Sequence, residues 1–264
     1  MKRTWKVKTW RLFIITVVGL YLILPLYSMF DFSTKPYSYF EKGRTLSAWK
    51  MIPKQPDLAI SLIRSLTMAA IVMALILVVI VPTIVWIELR LPKLRRPMEL
   101  LCLIPLAIPA IVIVVGIAPI YRWLSINVTE SPIALAWVYA VLILPYTYRS
   151  LAASLAANDI HTLAEAAQTL GSSVPRMMAG IIMPTLRTGI LNGSFIAIAL
   201  VLGEFTISNI LNYKTFQVVI AQIGRTNGNV AVAVSLASIL LVLAILLIIP
   251  NSKRQKEVLD VDVA

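Results

Sequence analysis

The sequence predicts an all-α, polytopic membrane protein with six transmembrane helices and a cytoplasmic loop of two short helices. Three observations carry this. Of 264 residues, 59% are hydrophobic and only 14% are charged, against about 25% charged in ordinary globular domains. Runs such as "TMAAIVMALILVVIVPTIVWI" exceed the 18 or so apolar residues that cross a bilayer as a helix. Between two such runs stands "EAAQTLGSSVPRMMAGIIMP", residues 165–184, which is helical in pattern but semi-polar.

The first span covers 12–30. Its basic head and apolar run, "MKRTWKVKTWRLFIITVVGLYLILPLYSMF", also resemble a signal peptide. The run is longer than a signal core of about 7–15 residues, and no small-residue cleavage site follows, so it reads as a retained span. The segment "DFSTKPYSYFEKGRTLSAWKMIPKQPD" is rich in proline, aromatics and charge. It reads as a cap outside the membrane, with Tyr37, Tyr39 and Trp49 at the interface, where amphipathic rings are favoured. The second span, 58–87, is long enough to tilt or protrude. The others cover 98–118, 132–148, 189–211 and 230–250. No linker separates a second domain, so 1–264 reads as a single transmembrane domain.

Pro25, Pro82, Pro105, Pro109, Gly116 and Pro119 lie inside these spans. Such residues interrupt the helical ladder unless neighbouring helices or waters satisfy the freed groups. They favour a packed bundle over independent anchors.

Orientation follows from lysine and arginine beside the spans. The N-tail (Lys2, Arg3, Lys6, Lys8, Arg11), the loop with Arg90, Lys93, Arg95 and Arg96, the insert (Arg149, Arg176, Arg187) and the C-tail (Lys253, Arg254, Lys256) share one side. The opposite side holds the rest, including Lys35, Lys42, Arg44 and Arg64, giving 15 against 9. Both termini are therefore expected in the cytoplasm. The net charge of +12 is accounted for by these clusters. No basic stripe with interleaved aromatics and no zinc-finger spacing points to nucleic acid.

Few residues suit catalysis. Cys102 is the only cysteine and His161 the only histidine, so no intrachain disulfide, cysteine zinc site or histidine cluster forms. Serines in spans, such as Ser194 and Ser208, lack a base and read as helix contacts. The chain is not expected to be an enzyme.

The insert reads as two helices. Thr162 followed three residues later by Glu165 fits a capping box. Leu163, Ala166, Ala167 and Leu170 share one face, and Gly171 stands where a left-handed residue commonly ends a helix. Ser172 or Ser173 caps the second helix, and Pro175 suits its first turn. Val174, Met178 and Ile181 share a face, and Pro184 ends or bends the helix. The pattern fits a docking surface for a partner, and equally a hairpin lying on the membrane or on its own bundle.

Glu-Ala-Ala, three residues, Gly, nine residues, then Ile-Ile-Met-Pro resembles the EAA motif of permease subunits of ATP-binding-cassette (ABC) importers, inner-membrane components of binding-protein-dependent transport. The matching residues are Glu165, Ala166, Ala167, Gly171, Ile181 and Pro184, with Met183 standing for the usual leucine. "LCLIPLAIPAIVIVVG" and "ILPYTYRSLAASL" resemble the family's third span and its approach to the loop. The wording "EAAQTLGSS" is similar to the polyamine, phosphonate, iron, thiamine and sulfate branch. The resemblance implies that residues 158–187 form a coupling loop docked on a separate ABC ATPase subunit. It also implies a second permease, identical or homologous, and an external substrate-binding protein. The location implied is the cytoplasmic membrane of a bacterium. The chain has no G-x-x-x-x-G-K-[ST] phosphate loop, so no cofactor is expected in it, and ATP with magnesium belongs to the partner ATPase. An ion-gradient-driven secondary transporter is the rival from another class. It would show inverted repeats or broken helices around a central site.

Glu204 is the one acid placed well inside a span. Acids in hydrocarbon are costly and tend to face a cavity or partner, so Glu204 either lines a translocation pathway or marks the outer interface. Arg64, at the outer end of the second span, is a candidate partner, or else a snorkelling side chain.

Overall fold

A computed structural model describes residues 2–36 and 43–261, with side chains for residues 8, 10–36 and 43–244. Tyr37, Tyr39 and Lys42 lie outside the described residues. The side chains of Lys2, Arg3, Lys6, Lys253, Arg254 and Lys256 do so as well.

The elements run α1 (Lys2–Ser33), α2 (Ser47–Met51), α3 (Leu58–Leu75), α4 (Val81–Arg90), α5 (Arg95–Ala107), α6 (Ala110–Asn127) and α7 (Ala136–Ala157). They continue as α8 (Ile160–Thr169), α9 (Val174–Met177), α10 (Met183–Thr185), α11 (Arg187–Gly203), α12 (Thr206–Ile210), α13 (Phe216–Thr226) and α14 (Gly228–Val261). Among the described residues there is no strand. Five segments are long and apolar enough to cross a membrane: Trp10–Ser33, Leu58–Arg90, Ala110–Asn127, Pro132–Ala157 and Arg187–Ile210. The described apolar part of α14, Gly228–Ala244, is shorter.

Local chemistry explains where these helices bend and break. A π turn at Ile76–Ile80 joins α3 to α4, and a second at Met178–Ile182 joins α9 to α10. Each precedes a proline, Pro82 or Pro184, at the same offset. Proline lacks an N–H and clashes with the carbonyl four residues back, and one wider turn relieves both problems. The first π turn also shifts the buried stripe. Met68, Val72 and Ile76 follow a four-residue step, then five residues lead to Val81, and four more to Val85.

The helix expected over 98–118 is not continuous. It breaks at Ile108, which is extended (φ −101°, ψ 119°), because the following Pro109 disfavours helical geometry in the residue before it. The apolar helix of spanning length is α6, nine residues further along at its C-terminal end than expected.

The chain forms two compact units, residues 1–58 with 220–264, and residues 59–219. In the first, α1 packs along α14 and α2 lies on α14. Asp31 pairs with Lys35 and with Arg44, each at 2.8 Å. The Trp49 indole donates to Ser33 Oγ at 3.1 Å, which anchors the ring expected at the interface. Asn229 Nδ2 donates to the Lys35 carbonyl at 2.8 Å.

In the second unit, α7 is the central helix, packed by α5 and α11. Ala140, Ile143, Thr147, Leu151 and Leu155 bury one face at helical spacing. Opposite them, α11 buries Gly189, Gly193, Ser194, Ala197 and Val201. Small residues at four-residue intervals let two backbones approach closely where hydrophobic driving force is weak. The contact is tightest at Gly189, whose carbonyl accepts from Ser150 Oγ at 2.8 Å.

Candidate functional site

Two places in the second unit collect the residues singled out by sequence. One is a polar knot at the end of α11. Gly203 closes that helix, and Glu204 is extended (φ −75°, ψ 123°). The chain then restarts as α12. Glu204 Oε1 accepts from the Ile207 N–H at 2.7 Å, and Oε2 accepts from the Ser208 N–H at 3.3 Å. The carboxylate thus satisfies two donors of the new helix, as a capping side chain does.

Oε2 also accepts from the Tyr139 hydroxyl at 2.6 Å. Tyr139 has one proton to give, so Ser208 Oγ donates to the phenol oxygen at 2.6 Å, with Glu204 Oε2 a longer alternative acceptor for the serine proton at 3.4 Å. This network ties α7 to the break after α11. Neither Tyr139 nor its role was visible in the sequence, since it lies 65 positions from Glu204. Ser208 was expected as a helix contact, and its four-residue offset from Glu204 was the only local hint. The Arg64–Glu204 pair considered from sequence is not formed among the described residues: Arg64 is exposed, and the carboxylate's described partners are those above.

Tyr139 and Glu204 of this knot line a partly open cavity of about 260 Å³. Its wall brings together both helix breaks. Ile108 comes from the α5–α6 break, Glu204 from the α11–α12 break, and Tyr139, Leu142 and Tyr146 from α7 between them. Non-helical backbone in a membrane-spanning bundle is tolerated where it is covered by protein or lines a cavity.

The second place is the insert. α8 starts at Asp159, not at Thr162. Asp159 Oδ1 accepts from the Thr162 N–H at 3.2 Å, and Oδ2 from the Thr162 hydroxyl at 2.7 Å. These bonds hold the Asp159 carboxyl below its ordinary value. Thr162 is therefore a donor in the first turn, and the capping box with Glu165 does not form. Starting at Asp159 brings Ile160 into the helix, where it is buried with Ala164 and Ala167. That buried face packs toward α4 and the second π turn.

The apolar face expected from Leu163, Ala166, Ala167 and Leu170 is divided. Ala167 is 3% exposed while Leu170 is 88% exposed, and Leu163 and Ala166 also face outward. Gly171 ends the helix with φ +76°. Its N–H bonds Gln168 O, and the Ser172 N–H bonds Ala167 O, both at 2.9 Å. This is the Schellman pattern, with glycine at the left-handed position. Ser173 caps the second helix through its backbone alone. That helix buries Met177 and Ile182, with Val174, Met178 and Ile181 partly buried, while Pro184 is exposed. Its apolar face is turned onto its own bundle. Of the signature residues, Glu165, Ala166, Gly171 and Pro184 are exposed, Ile181 is half-buried and Ala167 is enclosed. His161 is exposed in the first turn of α8.

Fold and site together define a class: an all-helical, membrane-embedded protein with five apolar helices able to span the bilayer and two helix breaks facing one cavity. Compared with known proteins, the chain matches no family model, and no curated protein matches its sequence.

Proposed function

We propose that the chain is the permease subunit of an ABC importer in the cytoplasmic membrane of a bacterium. With a second permease it forms the path for a small solute handed over by an external binding protein. The solute belongs to the polyamine, phosphonate, iron or thiamine class, and a separate ATPase supplies the work. The observation that carries this reading is the twenty-residue signature from Glu165 to Pro184. Its segment folds as two short helices meeting at a left-handed Gly171. In this reading six helices cross the membrane, α14 being the last, and α8 to α10 form the coupling loop. The exposed side of that loop, with Ala166, Leu170 and Gly171, is the surface for the ATPase. The cavity at Glu204 belongs to the solute path.

The decisive experiment is affinity purification of the tagged chain from its native membrane. The expected result is an ATPase subunit in stoichiometric amount and solute uptake that requires ATP. A purified chain without an ATPase, with uptake driven by an imposed ion gradient, overturns the reading.

That outcome would favour an ion-gradient-driven transporter, which one observation supports. Broken helices facing a common cavity are typical of such proteins, and here the breaks at Ile108 and Glu204 do so.

Topology has its own test. Cys102 is fully buried, and Cys102→Ser removes the native thiol. In that background, Ser47→Cys is expected to react with an impermeant thiol reagent on intact cells, and Ser173→Cys only after lysis. Both positions are exposed. Labelling of position 173 from outside would remove the coupling loop from the cytoplasm.

A further inference from the structure

We infer that the cavity at Glu204 binds a small organic cation carrying a single positive charge, such as an alkyl- or arylammonium ion. The inference narrows the transport reading above to singly charged organic cations, setting aside its polyamine, phosphonate and iron classes, and rests on that reading for the passage of the cation across the membrane.

The wall sets the chemistry. Leu106, Leu142 and Leu200 supply apolar surface, and the polar groups in the wall are Tyr139, Tyr146 and the Glu204 carboxylate. Among the described residues no lysine or arginine lines the cavity, and Glu204 has no ion pair. A carboxylate in apolar surroundings is costly unless it is paired and hydrogen-bonded. Glu204 is hydrogen-bonded but not paired. Oε1 accepts one described bond, from Ile207. A carboxylate oxygen offers two lone-pair positions, so Oε1 keeps an acceptor position for an ammonium N–H.

The alternatives fit less well. An anion meets an uncompensated negative charge. A neutral molecule fills the space and leaves the charge unpaired. A hard metal ion takes several oxygen ligands, and among the described residues no group of three acidic, histidine or cysteine side chains comes together. A linear diamine satisfies one charge at Glu204 and strands the other against leucine. One ammonium with an apolar body uses every part of the wall, and tyrosine rings attract a cation further. A volume of about 260 Å³ lies just below the usual range for ligand pockets of about 300–1,000 Å³, which suits a compact ligand.

The test is calorimetric titration of the full chain in detergent with four probes: benzylammonium, benzyl alcohol, benzoate and 1,4-diaminobutane. Benzylammonium is expected to bind saturably, about tenfold or more tighter than its neutral isostere benzyl alcohol, the ratio for one charge-assisted hydrogen bond. It should also bind more tightly than the diamine, and benzoate should not bind. Glu204→Gln, which keeps an acceptor for Ile207, is expected to weaken benzylammonium by a similar factor. Leu200→Trp fills the cavity while keeping the carboxylate, and it should abolish binding. Size-exclusion and helical circular dichroism establish that each variant is folded. If one is not, the probe series on the unaltered chain decides alone.

Equal binding of benzyl alcohol overturns the inference. So does tighter binding of the diamine, no binding of benzylammonium, or full affinity in either folded variant. Binding here needs no ATPase. A chain that binds benzylammonium but brings down no ATPase retains the cation site and loses the importer reading. The reverse result retains the importer and loses the site.

Discussion

Gly189→Ala is expected to lower the melting temperature of the detergent-solubilised chain, and Gly189→Val to prevent stable folding of the α7–α11 pair. A Cβ at position 189 falls 2.5 Å from Ser154 Cβ and 2.9 Å from the Ser150 carbonyl oxygen. Neither atom is the movable end of a long side chain, so the helices themselves must separate. Overpacking of this kind typically costs about 1–3 kcal/mol. Separation also strains the Ser150 Oγ bond to Gly189 O. The opposite sign is expected at Gly116, where a Cβ meets nothing within 4 Å. There Gly116→Ala replaces a poor helix former by the best one, a gain of up to about 1 kcal/mol. Thermal unfolding followed by size-exclusion separates the two. Equal stability of the two alanine variants would mean that α7 and α11 do not meet at Gly189.

The second large effect concerns the two faces of α8. Ala166→Trp and Leu170→Glu alter exposed positions. They are expected to release the ATPase in pull-down while the chain elutes and melts as before. Ala167→Trp acts differently, because Ala167 is enclosed among core residues. It is expected to lower stability whether or not a partner is present. Gly171→Val strains a residue at φ +76°, at a cost of about 1–2 kcal/mol for a non-glycine residue. Glu165→Ala should leave the start of α8 intact, since Asp159 is its cap. If Ala166→Trp and Leu170→Glu both retain full ATPase binding, this face of α8 is not the docking surface.

The contrast between Ala166 and Ala167 shows what pattern alone conveys. Both alanines fit one apolar stripe in the sequence, and helical periodicity cannot choose which edge of that stripe turns inward. The choice comes from α4 and the second π turn, which cover Ala164 and Ala167 and leave Ala166 and Leu170 outside. The helix start shows the same limit. Asp159 with Thr162 and Thr162 with Glu165 are both acceptable local caps. Burial of Ile160 selects the first.

Features governed by steric rules within a few residues were legible directly. Runs of apolar residues too long for a soluble fold define the membrane-spanning character. Gly171 ends α8 because only glycine adopts that backbone region without strain. Pro109 breaks a helix and π turns precede Pro82 and Pro184, because each of these prolines removes a donor and crowds the preceding turn. What the tertiary structure decided concerns groups far apart in the chain. Glu204 was visible as an unusual acid, but its partner Tyr139 lies on α7. The cavity exists only because the breaks at Ile108 and Glu204 pack around that helix. Local conformation is set by each residue's own backbone sterics and its close neighbours. The hydrogen bonding of a half-buried carboxylate is set by which helix faces are pressed together, and that depends on packing across the whole second unit.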